Sequence, residues 1–534
     1  LIFLFRFMAK YIFVVGGVLS SLGKGIAAAS IGVLLKSMGH KVQIQKLDPY
    51  LNLDPGQMSP LQHGEVFVTD DGAQADLDLG HYERFLDQAL SRNSSCSAGQ
   101  IYESVLRCEA EGRYQGRTVQ VIPHVTDEIK RRILELGPQA DIVIVEIGGT
   151  VGDIEILPFL EAVRQLRLDL GVQNTLFVML TYIPWIRSAG ELKTKPAQHS
   201  AYKLREIGIQ PEILLCRSEK PFGPEIYDKI ALFTNVPRAS VINAIDVDSV
   251  YECPLIYREA GLHKIVCRHF GFEIKPLRLA AWKRYLRCTE VEEPKLKIAV
   301  CGKYVQHRDA YKSVGEALTH AAAFHGVALD LNWIDSSQPL QRSALKKALQ
   351  NMDGILVEGG LEAAGLEGEV AIAEFARKAG IPFLGICLGM QAMAAEFARN
   401  VCGLKKASSQ LFDPNTPHPL FIPLEGGTRL GARDVELEVG SQARKIFKRA
   451  RISERQRHRQ GFNLAYREAL EAKGLSFSGF SPDEKTVEVI ELSSQSFHIG
   501  VQFHPQFKSR PNKAHPLFKE FLRAALEIFN TKKS

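Results

Sequence analysis

Lys24 stands between Gly23 and Gly25 in "FVVGGVLSSLGKGIAAAS", with the hydroxyls of Ser20 and Ser21 just upstream. A Gly-rich loop joining a strand to a helix offers backbone N–H groups and a helix N terminus to phosphate, and a lysine adds a point charge. The strict phosphate-loop spacing is not met: five residues separate Gly17 from Gly23, and Gly25 replaces the hydroxyl residue after the lysine. Asp78 in "ADLDLGHYERF" and Glu146 in "DIVIVEIGGT" are candidate magnesium ligands, since Mg²⁺ favours one or two carboxylates plus phosphate oxygens. Lys193 and Lys195 in "GELKTKPAQHS" share a face if that segment is extended; they hold a triphosphate or form a solvated surface. Further on, Cys387 lies in the frame Gly385-x-Cys387-x-Gly389, where small neighbours permit a strained turn and a following helix N terminus favours the thiolate. His504, closing the apolar run "IGVQFHP", is the matching general base.

These groups need elements to hold them. Apolar runs at Tyr11–Val15, Lys41–Gln45, Asp141–Ile147, Thr175–Leu180 and Glu212–Cys216 alternate with helical stretches such as Ile26–Met38. That alternation predicts parallel sheets covered on both faces. Glu146 would then face the crevice at the carboxyl ends of the strands. From Pro276 to Pro294 the pattern breaks into a basic and then an acidic stretch, and a new strand opens at Leu296 in "KLKIAVCGKY". The expectation is two tandem doubly wound α/β domains, 8–275 and 296–534, with a linker at 276–295.

A chain of 534 residues exceeds one ordinary domain. No apolar stretch reaches the ~18–20 residues that span a bilayer, so no membrane partner is expected. Leu1–Phe7 is apolar around Arg6 but too short for a signal peptide, and Met8 is the expected start. A net charge of +6 without a Lys/Arg block predicts no nucleic-acid partner. Nine cysteines without a C-x-x-C pair predict reduced thiols and a cytoplasmic location.

The stretches "KYIFVVGGVLSSLGKGIAAAS", "QKLDPYLNLDPGQMSPLQHGEVFVTDDGA", "DLDLGHYERFLD", "VEIGGTVGDIEILPFLEA", "ELKTKPAQHS" and "IQPEILLCRS" closely resemble the CTP synthase family. The resemblance implies a P-loop-like synthetase (amidoligase) domain followed by a class I glutamine amidotransferase domain. It implies ATP at Ser21, Leu22, Gly23, Lys24, Gly25, Ile26 and Asp78, and Mg²⁺ at Asp78 and Glu146. UTP or CTP is implied at Ser20, at Asp153, Ile154 and Glu155, at Lys193, Thr194, Lys195, Pro196, Ala197 and Gln198, and at Lys229. Catalysis is implied at Cys387 and His504, with glutamine held by Gly360, Leu388, Gly389, Met390, Gln391 and Arg459. ATP phosphorylates the uracil O4 and ammonia, from glutamine or free, displaces phosphate at C4; GTP activates, and the assembly is a homotetramer.

The chain also departs from that pattern. Gln74 and Ala75 stand where the family has "ET", and Ala197 where it has threonine. Gln506 replaces the glutamate that should orient His504, and Leu411 aligns with the glutamate that should hold the glutamine amino group. The loop "PGGFG" is "EGGLE", which brings Glu358 and Glu362 close to the expected oxyanion pocket, and "GGTMRLG" is one residue short at Gly426–Gly431. Gln506 alone is survivable, because a thiolate–imidazolium pair needs less help from an anion; Leu411 costs a charged contact worth roughly 1.5–3 kcal/mol. Two further readings follow: an ammonia-dependent synthetase whose second domain is a non-catalytic regulatory or assembly module, and a deviant P-loop ATPase of the partitioning or dethiobiotin-synthetase type whose second domain is unrelated to nitrogen. The "KTKPAQ" cluster disfavours the last.

Overall fold

The computed structural model describes residues 9–339, 341–360, 365–482 and 486–533. They form two compact units, one of residues up to Pro55 with Asp78–Ala280, the other of Gly56–Leu77 with Ala281 onward. In the first unit, strands β1 (Lys10–Gly16), β2 (Val42–Asp48), β3 (Ser95–Ser97), β4 (Ile142–Ile147), β5 (Thr175–Tyr182), β6 (Ile213–Ser218) and β7 (Val241–Ile245) form one sheet. Its order is β7-β6-β5-β1-β4-β2-β3, and every pairing is parallel. Such strands are covered on both faces, which is why Ile12, Phe13, Val14 and Val15 are all fully buried without alternation. Every strand expected in this half is present; β3 and β7 are additional. Helices α1 (Lys24–Ser37), α2 (Asp78–Leu86), α3 (Lys195–Glu206) and α4 (Pro224–Thr234) carry or flank the chemical residues. Because β1 sits between β4 and β5, the loop after β1 opens where the winding reverses direction, the usual ligand position in such sheets.

The second unit holds a nine-stranded sheet: β8 (Lys295–Gly302), β9 (Ala328–Asp335), β10 (Gly354–Val357), β11 (Phe383–Ile386), β12 (Arg429–Leu437), β13 (Arg451–His458), β14 (Leu475–Phe480), β15 (Val487–Leu492) and β16 (His498–Val501). The order is β9-β8-β10-β11-β16-β15-β14-β12-β13. It is parallel from β9 to β16 and antiparallel beyond, an extension that the doubly wound expectation did not include. Helix α5 (Leu388–Asn400) follows β11 directly.

Two stretches have more structure than their local patterns suggested. Ala280–Thr289, inside the expected linker, is a helix burying Trp282, Tyr285 and Leu286, whose i, i+3, i+4 spacing is masked by the surrounding charges. Gly56–Leu77 packs with the second unit: the Glu65 N–H donates to the Asp309 carbonyl at 2.9 Å, and Phe67 meets Phe507 edge-on at 5.1 Å. No described helix is long and apolar enough to cross a membrane.

Candidate active sites

In the first unit, β2 and β4 pair with Lys46 directly beside Glu146, so their side chains share one face. The Lys46 ammonium donates to Asp78 at the start of α2 and to Glu146 at 3.1 Å, with Asp48 at 3.8 Å. Burial works against the Lys46 charge, but Asp78, Glu146 and Asp48 outweigh it and hold the ammonium well above the usual lysine range. Burial also acts to raise Asp78, yet Lys46 and His81 hold it below the ordinary carboxylate value. For Glu146 burial prevails over the attraction of Lys46, and its carboxyl is raised. The Tyr82 hydroxyl donates to the second Glu146 oxygen.

Lys24 begins α1, is buried, and donates to the Gly149 carbonyl at 2.9 Å. Burial lowers its pKa, against the pull of Glu146. Gly25 explains the departure from the phosphate-loop pattern: a Cβ there would stand 2.4 Å from an Asp78 oxygen and 3.3 Å from Glu146. The loop thus brings its amides, Lys24 and two carboxylates within one small volume. Among the described residues no cluster of three or more metal-ligating side chains occurs. The pair Asp78 and Glu146, spanned by one ammonium, matches the two-carboxylate donor set that Mg²⁺ accepts.

Beside the loop lies a cavity of about 110 Å³ lined by Leu22, Gly23, Ile26, Arg217, Asp246 and Tyr257. Arg217 pairs with Asp246 at 2.7 Å and donates to the carbonyls of Ser21 and Leu22. Sequence reading missed Arg217, although a charged residue ending the buried run Ile213–Cys216 was the available signal. Ser20 and Ser21 are exposed in the loop, as are Asp153, Ile154 and Glu155 in the turn after β4, where the Asp153 carboxylate accepts from the Thr150 N–H at 3.0 Å.

The "KTKPAQ" segment is not extended. Lys195 opens helix α3 with Pro196 in its first turn, so Lys193 and Lys195 do not share a strand face. Lys193 instead pairs with Glu191, a carboxylate that Lys229 on α4 also helps hold low. Thr194 is buried and accepts from Gln198 at 3.0 Å; Ala197 is fully buried.

In the second unit, Cys387 links β11 to α5 at φ 52°, ψ −101°, a conformation that side chains rarely adopt. Gly389 makes the turn possible, because a Cβ there would stand 2.3 Å from the Val357 carbonyl oxygen. β11 and β16 run side by side, Phe383 against His498 through Ile386 against Val501, so Cys387 and His504 follow neighbouring strand ends. The His504 N–H donates to the Arg455 carbonyl at 2.8 Å, and the ring stacks on Phe507. Burial opposes the imidazole's charge, but the neighbouring Cys387 and Glu358 overcome it and raise His504 to about 10. Gln506 keeps its place beside His504, with Nε2 at 3.0 Å from Nδ1, but brings no charge.

These residues open on a cavity of about 570 Å³, also lined by Gly359, Gly360, Leu411, Thr428, Arg457 and Arg459, and by the segment from Gly56 to Pro60. That last segment was not foreseen as part of this site. A Cβ on Gly359 would lie 2.8 Å from the Leu388 nitrogen, so the Gly359–Gly360 turn adjoins the amide after the nucleophile. Leu411 lines the wall, and no carboxylate stands at that position. The Met390 side chain is fully buried in the core beneath α5. Gln391 is buried too, with Nε2 at 3.5 Å from Gln502, which in turn donates to the Cys387 sulfur at 3.5 Å. Glu362 lies outside the described residues.

Comparison with known proteins agrees with both halves. A profile described as "CTP synthase N-terminus" matches residues 10–272, and one described as "Glutamine amidotransferase class-I" matches residues 306–524. A protein named CTP synthase from Moorella thermoacetica is 52% identical over 528 residues, covering 97% of this chain and 98% of its own. The CTP synthase of Rubrobacter xylanophilus is 51% identical, covering 97% of this chain and 95% of its own. A solved structure of the glutaminase domain of Trypanosoma brucei CTPS, with bound acivicin, is 35% identical with a TM-score of 0.42, covering 43% of this chain and 94% of that one. By its full-length relatives and both profiles, the chain belongs to the CTP synthase family.

Proposed function

We propose that the chain converts UTP to CTP, using ATP to activate the uracil O4 and taking ammonia from glutamine hydrolysed in its second unit. The observation that carries this reading is the pairing of two chemical settings on one chain: a glycine-rich loop beside Lys46, Asp78 and Glu146, and a strained Cys387 that shares a cavity with His504. In the first, the loop amides and Lys24 hold the ATP phosphates, and the positive charge of Lys24 and Lys46 meets the charge that develops on the transferring phosphoryl group. Asp78 and Glu146 would hold Mg²⁺, which neutralises phosphate charge when bound. The uracil O4 takes the γ-phosphoryl of ATP, releasing ADP; ammonia then adds at C4 and the C4–O bond breaks, releasing phosphate. Lys193 and Lys229 supply charge for the UTP triphosphate, with Ser20 and Asp153–Glu155 as its neighbours.

In the second unit the Cys387 thiolate attacks the glutamine side-chain carbonyl, whose oxygen is received by the Leu388 and Gly360 amides. His504 protonates the leaving nitrogen as the C–N bond breaks, and then takes a proton from the water that cleaves the thioester to glutamate. Arg459 grips the substrate carboxylate. The loop Gly426–Gly431, whose Thr428 lines the cavity, is where GTP would act. The assembly we propose is a homotetramer, to be checked by light scattering. The deciding assay is CTP formation from UTP, ATP and Mg²⁺ with ammonium chloride or with glutamine plus GTP. Turnover with both donors is expected. Ammonium alone would mean a failed glutaminase, and neither donor, on folded protein, would refute the reading.

A further inference from the structure

Two departures from the family pattern meet in space. Glu358 follows β10 and replaces the first residue of the "PGGFG" loop; Gln506 replaces the glutamate after His504. The Glu358 Oε1 atom lies 3.5 Å from His504 Nδ1 and accepts from Gln506 Nε2 at 3.1 Å. Glu358 is 5% exposed, and among the described residues its ion-pair partner within 4 Å is His504. A buried carboxylate without a counter-charge is strongly unfavourable. Gln506 cannot do its work: the nitrogen that donates to Glu358 is the atom facing His504, so it neither accepts the Nδ1 proton nor carries charge.

Resting on the glutaminase reading of this unit, we propose that Glu358 is the carboxylate that orients and charges His504, reaching Nδ1 from the oxyanion turn instead of from position 506. Glu358 pairs with the Nδ1 side of the imidazole at 3.5 Å, which leaves Nε2 for the Cys387 proton. Gln506 is a spacer that donates a hydrogen bond to Glu358 and fixes its carboxylate. Other groups facing Glu358 electrostatically are Tyr311 and Glu369, the latter close to Lys303. One turn thereby provides both the oxyanion amides and the positioning carboxylate. Glu358 is a positioning residue, because it acts through His504.

The test uses the full chain, Glu358→Gln, and the exchange variant Glu358→Gln with Gln506→Glu. Each is assayed for ammonium- and glutamine-dependent CTP formation, for the pH profile of kcat/KM for glutamine, and for iodoacetamide alkylation of Cys387 at neutral pH, read by peptide mass. Ammonium-dependent turnover, which uses the other unit, reports folded protein. Glu358→Gln should lower glutamine-dependent turnover by up to about 10⁴-fold, the cost of losing the histidine-orienting carboxylate in the serine-protease triad. It should move the alkaline limb of the profile to lower pH and slow alkylation by roughly tenfold, the equivalent of 1.4 kcal/mol less stabilisation of the imidazolium. The exchange variant should recover all three. Glutamine turnover and alkylation unchanged in Glu358→Gln would overturn the proposal, as would a loss that the exchange does not restore. If the parent uses ammonium but not glutamine, the glutaminase reading fails by itself, and the alkylation series alone decides whether Glu358 charges His504.

Discussion

Replacing Lys46 with methionine, which keeps the side chain's length and removes its charge, tests the core of the synthetase site. Lys46 is 6% exposed and is shared by Asp78, Glu146 at 3.1 Å and Asp48 at 3.8 Å. At an effective dielectric of about 20, a unit pair at 3.1 Å is worth roughly 5 kcal/mol before desolvation. Breaking one partner out of a buried pair costs about 3–5 kcal/mol, a large part of a domain's stability. Lys46→Met should therefore lose about that much in urea unfolding. The pH dependence should also change. In the parent, Asp78 is held below its ordinary value, so its contribution is present above the unfolded carboxylate range and fades as pH falls, while the already raised Glu146 contributes in the opposite sense. Without Lys46, Asp78 and Glu146 are both raised above their unfolded values. Their neutral forms then fit the fold at low pH, and stability falls as pH rises through the shifted values. The deficit should widen from pH 5.5 to 8 and shrink with added Mg²⁺. A loss below about 1 kcal/mol with parallel pH profiles would refute the claim that Lys46 is the counter-charge holding this site.

The remaining predictions are independent of that one. Gly25→Ala forces a Cβ into Asp78 at 2.4 Å; CTP formation should collapse with either nitrogen donor while glutamine hydrolysis survives, and equal damage to both activities would show a folding defect instead. Leu411→Glu should lower the KM for glutamine by roughly 10–100-fold, the equivalent of a charged hydrogen bond, and an unchanged KM would mean that the ammonium group is held elsewhere. His498 is buried, and burial with Arg377 pushes it down to about 3. A histidine held neutral in the fold contributes stability above its unfolded pKa and loses it as pH falls, so His498→Gln should remove about 2 kcal/mol of the stability difference between pH 7.5 and pH 5. Equal urea slopes against pH in parent and variant would count against it.

Much of this was legible because the chemistry is local. The strand, glycine turn and helix around Lys24 and around Cys387 are written in consecutive residues, and buried parallel strands announce themselves as unbroken apolar runs. What sequence could not show was which distant segments converge. Nothing in the pattern of Gly56–Leu77 says that it packs with the second unit, because its partners Asp309, Ser313 and Arg455 lie hundreds of residues away. The helix Ala280–Thr289 was hidden by its charged face. Position 358 was visible as a charge near the oxyanion loop, but its proximity to His504 depends on the register of β10, β11 and β16.

The pairing of Glu358 with Gln506 also predicts what each change does alone. Gln506→Glu in the parent would set a second carboxylate about where the amide now lies, 3.1 Å from Glu358. Two like charges at that distance repel by roughly 5 kcal/mol at an effective dielectric of about 20, which cancels the attraction of the imidazolium 3.0 Å away and leaves the burial of the second charge uncompensated. One carboxyl should then keep its proton, as carboxylate pairs sharing a site do. Its folded pKa lies above the unfolded value, so the protonated pair is tolerated in acid and stability falls as pH rises through neutrality. Urea midpoints at pH 5.5 and 8 should diverge in Gln506→Glu and stay together in the exchange variant, which has one carboxylate. If the single variant shows no such divergence, the two side chains do not share His504. With both carboxylates the pair repels, and with neither the imidazolium loses its counter-charge. The arrangement is therefore stable with one acid on either side of His504, and this chain carries it on the oxyanion turn.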